Sequence, residues 1–373
     1  MTSKNSHRLH ALGQEWFLAV SLATALVFAL SGKTLLAGLS HPLWLGFIFA
    51  WLFAAVLGSA LNVARHADSV AEILGEPYGT LVLTLSVTTI EVLSISAVML
   101  HGEQNPTLVR DTLFAIVMII LGGMIGGSLL LGGWRNREMQ YNLQGANSFL
   151  GVIIPLAVIT LTLPSFTVTT PGPTLSSAQQ MFVFVMSVGL YGTFLALQTG
   201  RHRGYFVSDG SEKTPPPELP RARPSLVWHS GLLVAYILPV VFLAEQLAQP
   251  IDYVIETMKA PAVLGGVVIA ALVATPEAIA ATRSAASNHL QRSINISLGS
   301  VLSTIGLTVP AMLAISYFTG HQLFLGLEGA NGVLLMLTLG VCVVTFASGR
   351  TNILQGAVHA MLFAAFVMLI FQG

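Results

Sequence analysis

Apolar runs of about 18 residues or more recur from one end of this 373-residue chain to the other, and they limit its fold more than any motif does. A helix of roughly 20 apolar residues spans a bilayer with all its backbone polar groups satisfied internally. Only 9% of the residues are charged, where a soluble protein carries about 25%. With 54% hydrophobic residues and a mean hydropathy of +0.77, the expectation is an all-α polytopic membrane protein whose main partner is the lipid bilayer. The N-terminal MTSKNSHRLH leads straight into an apolar span and reads as no cleavable signal. Formal charge is zero, so composition gives no support to nucleic-acid binding. The single cysteine, Cys342, lies in an apolar run and reads as a small packing residue.

Eleven spans are expected, near 15–31, 42–63, 79–100, 112–133, 146–163, 178–198, 226–244, 261–285, 293–316, 330–348 and 352–371. The long polar interruption at 199–224 contains KTPPPELPRARP and reads as a solvated, extended linker. With the N-terminus in the cytoplasm, thirteen of the sixteen Lys and Arg residues fall inside, and only Lys33, Arg110 and Lys259 fall outside. A missed or invented span would blur that asymmetry beyond the error. The expected topology is therefore N-in and C-out, with a cytoplasmic linker.

Residues 79–91, GTLVLTLSVTTIE, align without a gap on 265–277, GGVVIAALVATPE. They match at Gly79/Gly265, Val82/Val268, Val87/Val273, Thr89/Thr275 and Glu91/Glu277. Each segment is the second span of a group of five. Because five is odd, the two groups enter the membrane from opposite sides, an inverted-topology repeat of the kind secondary transporters use. The expected organisation is an extra N-terminal helix at 1–40, a first repeat at 41–198, the linker at 199–224 and a second repeat at 225–373.

Glu91 and Glu277 fall at similar depth, well inside the hydrocarbon. A lone ionised acid there costs about 2.5–3.5 kcal/mol on insertion scales. The acids are tolerable if they alternate between holding protons and holding a cation. Pro276 has no N–H, so it frees the Leu272 carbonyl, reads as a helix break and offers an oxygen ligand. In the first repeat the β-branched run Val87-Thr88-Thr89-Ile90 is a poor helix former. Its hydroxyls at Thr88 and Thr89, with Thr275 in the second repeat, are further candidate oxygens. Against this stands the plainer reading, in which membrane threonines bond their own helix. Asp111 and Glu76 could each draw cations at a mouth, outer and inner respectively, although an Arg110–Asp111 pair explains Asp111 equally well. His359 in the last span reads as a packing histidine, with a proton relay as the alternative, and Arg350-Thr351-Asn352 as a helix start on the positive side.

The block LGEPYGTLVLTLSVTTIEVLSISAVML resembles the first alpha-repeat of calcium/proton exchangers of the calcium:cation antiporter superfamily. LVATPEAIAATRSAASNHLQRSINISLGSVLSTIGLTVP, 272–310, resembles the second. The similarity is greatest to the bacterial sodium/calcium–proton antiporter branch. It implies one cation site formed by paired repeat acids, matched here by Glu91 and Glu277, with protons as counter-ions. It also places Ser300, in the family's Gly-Ser, and Ser303 in the ligand set. Thr88 and Val87 stand where relatives have Asn and Gly, and the second repeat has Val273-Ala274 there.

The expected function is antiport, exporting cytoplasmic Ca²⁺ for H⁺ across a bacterial cytoplasmic membrane. Na⁺/H⁺ or K⁺/H⁺ exchange at the same site is the alternative, and a cation channel a further one. No cofactor is expected beyond the transported ions. No enzyme is expected either, since no His-Glu-x-x-His and no spaced His/Asp cluster accompanies either acid.

Overall fold

A computed structural model of the chain describes residues 15–75, 78–100, 105–136, 138–206 and 225–372. Glu76 and residues 207–224 of the expected linker lie outside them. The described residues form eleven apolar helices: α1 Trp16–Leu36, α2 Pro42–Leu74, α3 Tyr78–Met99, α4 Leu108–Asn136, α5 Leu143–Phe166, α6 Ser177–Thr199, α7 Leu226–Thr257, α8 Val263–Ala286, α9 Leu290–Thr319, α10 Gly329–Thr345 and α11 Ile353–Gln372. Ten are long and apolar enough to cross a membrane, and α10 is shorter, at 17 residues.

Two helices overrun their hydropathy boundaries by more than ten residues. α2 continues to Leu74, and α7 to Thr257. The polar stretch NVARHADSVAEIL keeps the apolar positions Val63, Ala67 and Val70 on one buried face, so periodicity carries the helix where mean hydropathy falls. At 33 residues α2 is about 50 Å long, well beyond a hydrocarbon core of about 30 Å. Pro42 starts it at the first helical position, where its missing N–H is harmless. Gly75, at φ 65°, stops it in a backbone conformation that glycine adopts freely.

The chain divides into two compact units, and each draws on both halves of the sequence. The first comprises residues 1–102 and 224–260, hence α1, α2, α3 and α7. Its centre is the packing of α2 on α7. α1 is pinned to α2 by the Ser21–Ser59 hydroxyl contact at 2.6 Å and by Trp51 Nε1 donating to Thr24 Oγ1 at 3.3 Å.

The second unit comprises residues 103–223 and 261–373, hence α4–α6 and α8–α11. α4 and α11 meet almost backbone to backbone. A Cβ on Gly126 would lie 2.8 Å from the Ala360 nitrogen, and one on Gly356 would lie 2.6 Å from that of Leu130. Small residues let membrane helices approach this closely. A two-residue ladder, β1 Met139–Gln140 with antiparallel β2 Arg350–Thr351, ties the α4–α5 and α10–α11 connections together. Arg350 and Thr351, expected at a helix start, therefore form a strand that ends just before α11.

Helix interruptions are present, but as π-helical turns: Ile119–Met124 in α4, Val158–Thr162 in α5, Tyr253–Thr257 in α7 and Thr304–Thr308 in α9. A π turn leaves carbonyls needing other partners. In α4 the Leu121 carbonyl lies 2.7 Å from Nδ1 of fully buried His359, whose Nε2 is 3.0 Å from Thr345 Oγ1. Because a carbonyl only accepts, Nδ1 carries the proton. Both ring nitrogens are engaged, so His359 is a packing histidine.

The linker also begins later than hydropathy placed it. Residues 203–205 form a short 3₁₀ turn, and Phe206 is buried against Phe149 and Phe194 at ring-centroid distances of 5.4 and 5.6 Å. Asn295 Nδ2 donates to the Phe206 carbonyl at 2.6 Å. An aromatic residue at the start of the polar stretch found a cage in the same unit.

Candidate functional site

In the first unit, α3 carries Glu91 about 20 Å from its first residue. The side chain is 1% exposed. Thr88 and Ser94 lie three residues to either side, on the same helical face, and both are buried. The Thr88 hydroxyl has no hydrogen-bond partner among the described residues. Ser94 was not anticipated from the repeat alignment, although its i+3 spacing from the acid was visible in the sequence. Two expectations are corrected. The β-branched run Val87–Ile90 does not loosen the helix, because packing outweighs a weak propensity. Thr89 does not join the acid: at two residues' spacing it points about 200° away, is exposed, and donates to the Leu85 carbonyl at 2.6 Å.

In the second unit, Glu277 sits equally deep in α8. The expected break at Pro276 is overturned, since α8 runs uninterrupted from Val263 to Ala286. Proline's φ suits a helix, and a single lost bond costs less in hydrocarbon than exposing a whole turn of backbone. Covalent structure still denies the Leu272 carbonyl its Pro276 partner, and Leu272 is buried. Thr275 repeats the behaviour of Thr89, donating to the Ala271 carbonyl at 2.5 Å on the side of the helix away from the acid. Thr89 and Thr275 are thus equivalent in structure as well as sequence, as hydroxyls bonded to their own helices.

Ser300 on α9 hydrogen-bonds the Glu277 carboxyl group. Ser303, one turn on, donates instead to the Ser300 carbonyl at 2.9 Å, immediately before the π turn Thr304–Thr308. Glu277 Oε2 is shielded from solvent and has no hydrogen-bond partner among the described residues. A carboxylate oxygen in that state is costly unless it holds a proton or a cation.

α8 is held against α4 by Gly266, where a Cβ would fall 2.7 Å from the Thr112 nitrogen. The adjacent Asp111 is no open cation lure. It is 3% exposed, with Oδ1 accepting from Arg110 Nε at 2.9 Å and Oδ2 from Thr107 Oγ1 at 2.9 Å. Arg110 also reaches the Gly326 carbonyl at 3.2 Å, so this group fixes the start of α4. Glu76, the other expected mouth residue, lies outside the described residues. Among the described residues, no cluster of three or more His, Cys, Asp or Glu could hold a metal ion.

The chain has extensive relatives. It is 40% identical over 320 residues to the sodium-potassium/proton antiporter ChaA of Escherichia coli, covering 85% of this chain and 86% of that one. It is 22% identical over 350 residues to a Ca(2+)/H(+) antiporter of Synechocystis, covering 87% and 92%. The fold matches the structure of native YfkE with a TM-score of 0.73 at 18% identity, over 96% of this chain and all of that one. The profile of the family described as sodium/calcium exchanger protein matches residues 44–200 and 228–372, the stretches on either side of the linker. This chain is a multi-pass membrane protein that belongs to the sodium/calcium exchanger protein family.

Proposed function

We propose that the protein is a cation/proton antiporter that exports a monovalent cation, Na⁺ or K⁺, from the bacterial cytoplasm in exchange for protons, with Glu91 and Glu277 as the ion-carrying groups. The observation that carries this reading is a family match over both halves, with a shielded acid at the same place in the second span of each. Each acid is neutralised by a proton or by a cation, and movement with neither is opposed by the cost of a bare charge in hydrocarbon. That penalty couples the two fluxes.

The choice of a monovalent ion rests on the relatives. The relative at 40% identity is named for sodium, potassium and protons, and the calcium/proton relative is more distant at 22%. Calcium remains the second reading, favoured by the Ca(2+)/H(+) antiporters among the relatives. The orientation follows the Lys/Arg asymmetry, with the N-terminus inside and the C-terminus outside, and the role is that of a carrier, not an enzyme.

Everted vesicles carrying a respiration-driven pH gradient test the substrate. Adding Na⁺ or K⁺ should dissipate the gradient in a protein-dependent manner. Dissipation by Ca²⁺ alone would move the assignment to the calcium reading, and dissipation by none of the three would remove antiport.

A further inference from the structure

A polar cluster lies apart from the acids, entirely within the first unit. His66 on α2 and His229 on α7 face each other with their Nδ1 atoms 2.9 Å apart and their ring centroids 5.2 Å apart. His66 Nε2 is 3.2 Å from Glu15 Oε2, just ahead of α1. Glu15 also accepts from Arg65 at 2.6 Å and from the Tyr236 hydroxyl of α7 at 3.0 Å. His66 is 1% exposed, whereas Arg65 is exposed. His66 stands 24 positions after Pro42, about 36 Å along α2, beyond a hydrocarbon core of about 30 Å. His229 is in the first turn of α7. The cluster therefore lies at a membrane face, and the Lys/Arg asymmetry makes that face cytoplasmic.

The Nδ1–Nδ1 contact has a strict proton count. One hydrogen between the two nitrogens makes a bond; two would collide, and none would set lone pair against lone pair. His66 Nε2 lies 3.2 Å from Glu15 Oε2 and 3.3 Å from Arg65 Nη2, and either ring of the neutral pair can supply the single hydrogen between the Nδ1 atoms. One added proton enters at whichever Nε2 is bare without disturbing that bond, and Glu15 stabilises the resulting cation. A second proton must occupy the remaining Nδ1 and breaks the contact. Among the described residues the charged groups acting on the two rings are Glu15 and Arg65; Tyr236 faces Glu15, and α3 adds no charged group that acts on either imidazole.

The geometry points to a second, cytoplasmic proton-binding site, in which the His66–His229 pair holds one proton with α2 and α7 clasped and releases the clasp on taking a second. Its consequence for transport rests on the antiport reading above: exchange falls when the cytoplasmic face becomes acidic enough to open the clasp. The ligand is a proton used for regulation, separate from the protons carried by the acids.

Two measurements on the full chain test this. In nanodiscs, imidazole ¹⁵N NMR should show the two rings taking protons in two separate steps, the second at distinctly lower pH than the first. Glu15→Gln should displace the first step to lower pH, since it removes the anion that favours the cation. In everted vesicles, His229→Gln keeps an N–H donor but cannot bind a proton, so it should flatten the acid limb of the rate against cytoplasmic-side pH. Its half-saturating cation concentration at alkaline pH should match that of the parent. Independent titration of the two rings, or an acid limb unaltered in His229→Gln, would overturn the proposal. An equal loss of rate at every pH would mark the pair as a structural contact and overturn it as well. The NMR titration does not depend on transport, so failure of the antiport reading would be seen separately.

Discussion

Glu277→Gln and Glu91→Gln should each reduce cation-dependent proton movement to that of vesicles lacking the protein, with the amount inserted in the membrane unchanged. Glutamine preserves the volume of the side chain but can neither release a proton nor neutralise a cation. Loss of an ionic partner worth about 3 kcal/mol weakens cation binding roughly 100-fold. On the proposed mechanism, loss of the proton-carrying group removes coupled exchange altogether. Insertion should survive because an amide is cheaper than a carboxylate in hydrocarbon. Glu→Asp variants keep the charge but shorten the reach, and should retain partial exchange. Acid-sensitive dye fluorescence in everted vesicles, normalised to protein quantified in the membrane, makes the comparison. Near-parental exchange in either glutamine variant would remove that acid from the mechanism.

The second large effect is on stability. Gly266→Val should lower the yield of folded protein and its unfolding temperature in detergent. The added Cβ would meet the Thr112 nitrogen at 2.7 Å and the Asp111 carbonyl carbon at 2.8 Å. Both are backbone atoms of α4, which cannot rotate aside as a side chain would. Overpacking of this kind costs about 1–3 kcal/mol and sometimes more. In the same unit Gly127, whose Cβ would meet nothing within 4 Å, is the control. Gly127→Ala should be neutral or slightly stabilising, since alanine is favoured over glycine by up to about 1 kcal/mol in a helix. Thermal unfolding of the two variants in one detergent decides the matter; similar behaviour would mean that α8 does not depend on the close approach at Gly266.

The helices were legible because hydrocarbon demands long apolar runs, and the eleven expected spans correspond to eleven observed helices. Their overrunning ends were not, since the last turns of α2 are polar on one side and lower the mean hydropathy while still burying Val63, Ala67 and Val70. The acids were legible from the repeat alignment. Their surroundings were only partly so: matching Thr89 to Thr275 found a true equivalence, but sequence identity does not reveal which side of a helix a hydroxyl serves. Pro276 was over-read because a proline's local cost is visible in sequence whereas the packing that outweighs it is not. The π turns carry no reliable sequence signal, since they are a change of ladder within an otherwise ordinary apolar helix. The cluster of Glu15, Arg65, His66, His229 and Tyr236 was missed for a different reason. Its members are up to 221 positions apart and each looks unremarkable alone.

The π turns in α4 and α9 have a consequence for how such helices could change by insertion or deletion. Each wider loop accommodates surplus chain without breaking the rod, so shortening the chain by one residue within Ile119–Met124 or Thr304–Thr308 could restore a regular ladder. Every side chain beyond the excision would then swing by about 100°. In α4 that rotation would carry Gly126 off the seam with α11, and with it the near-contact at Ala360.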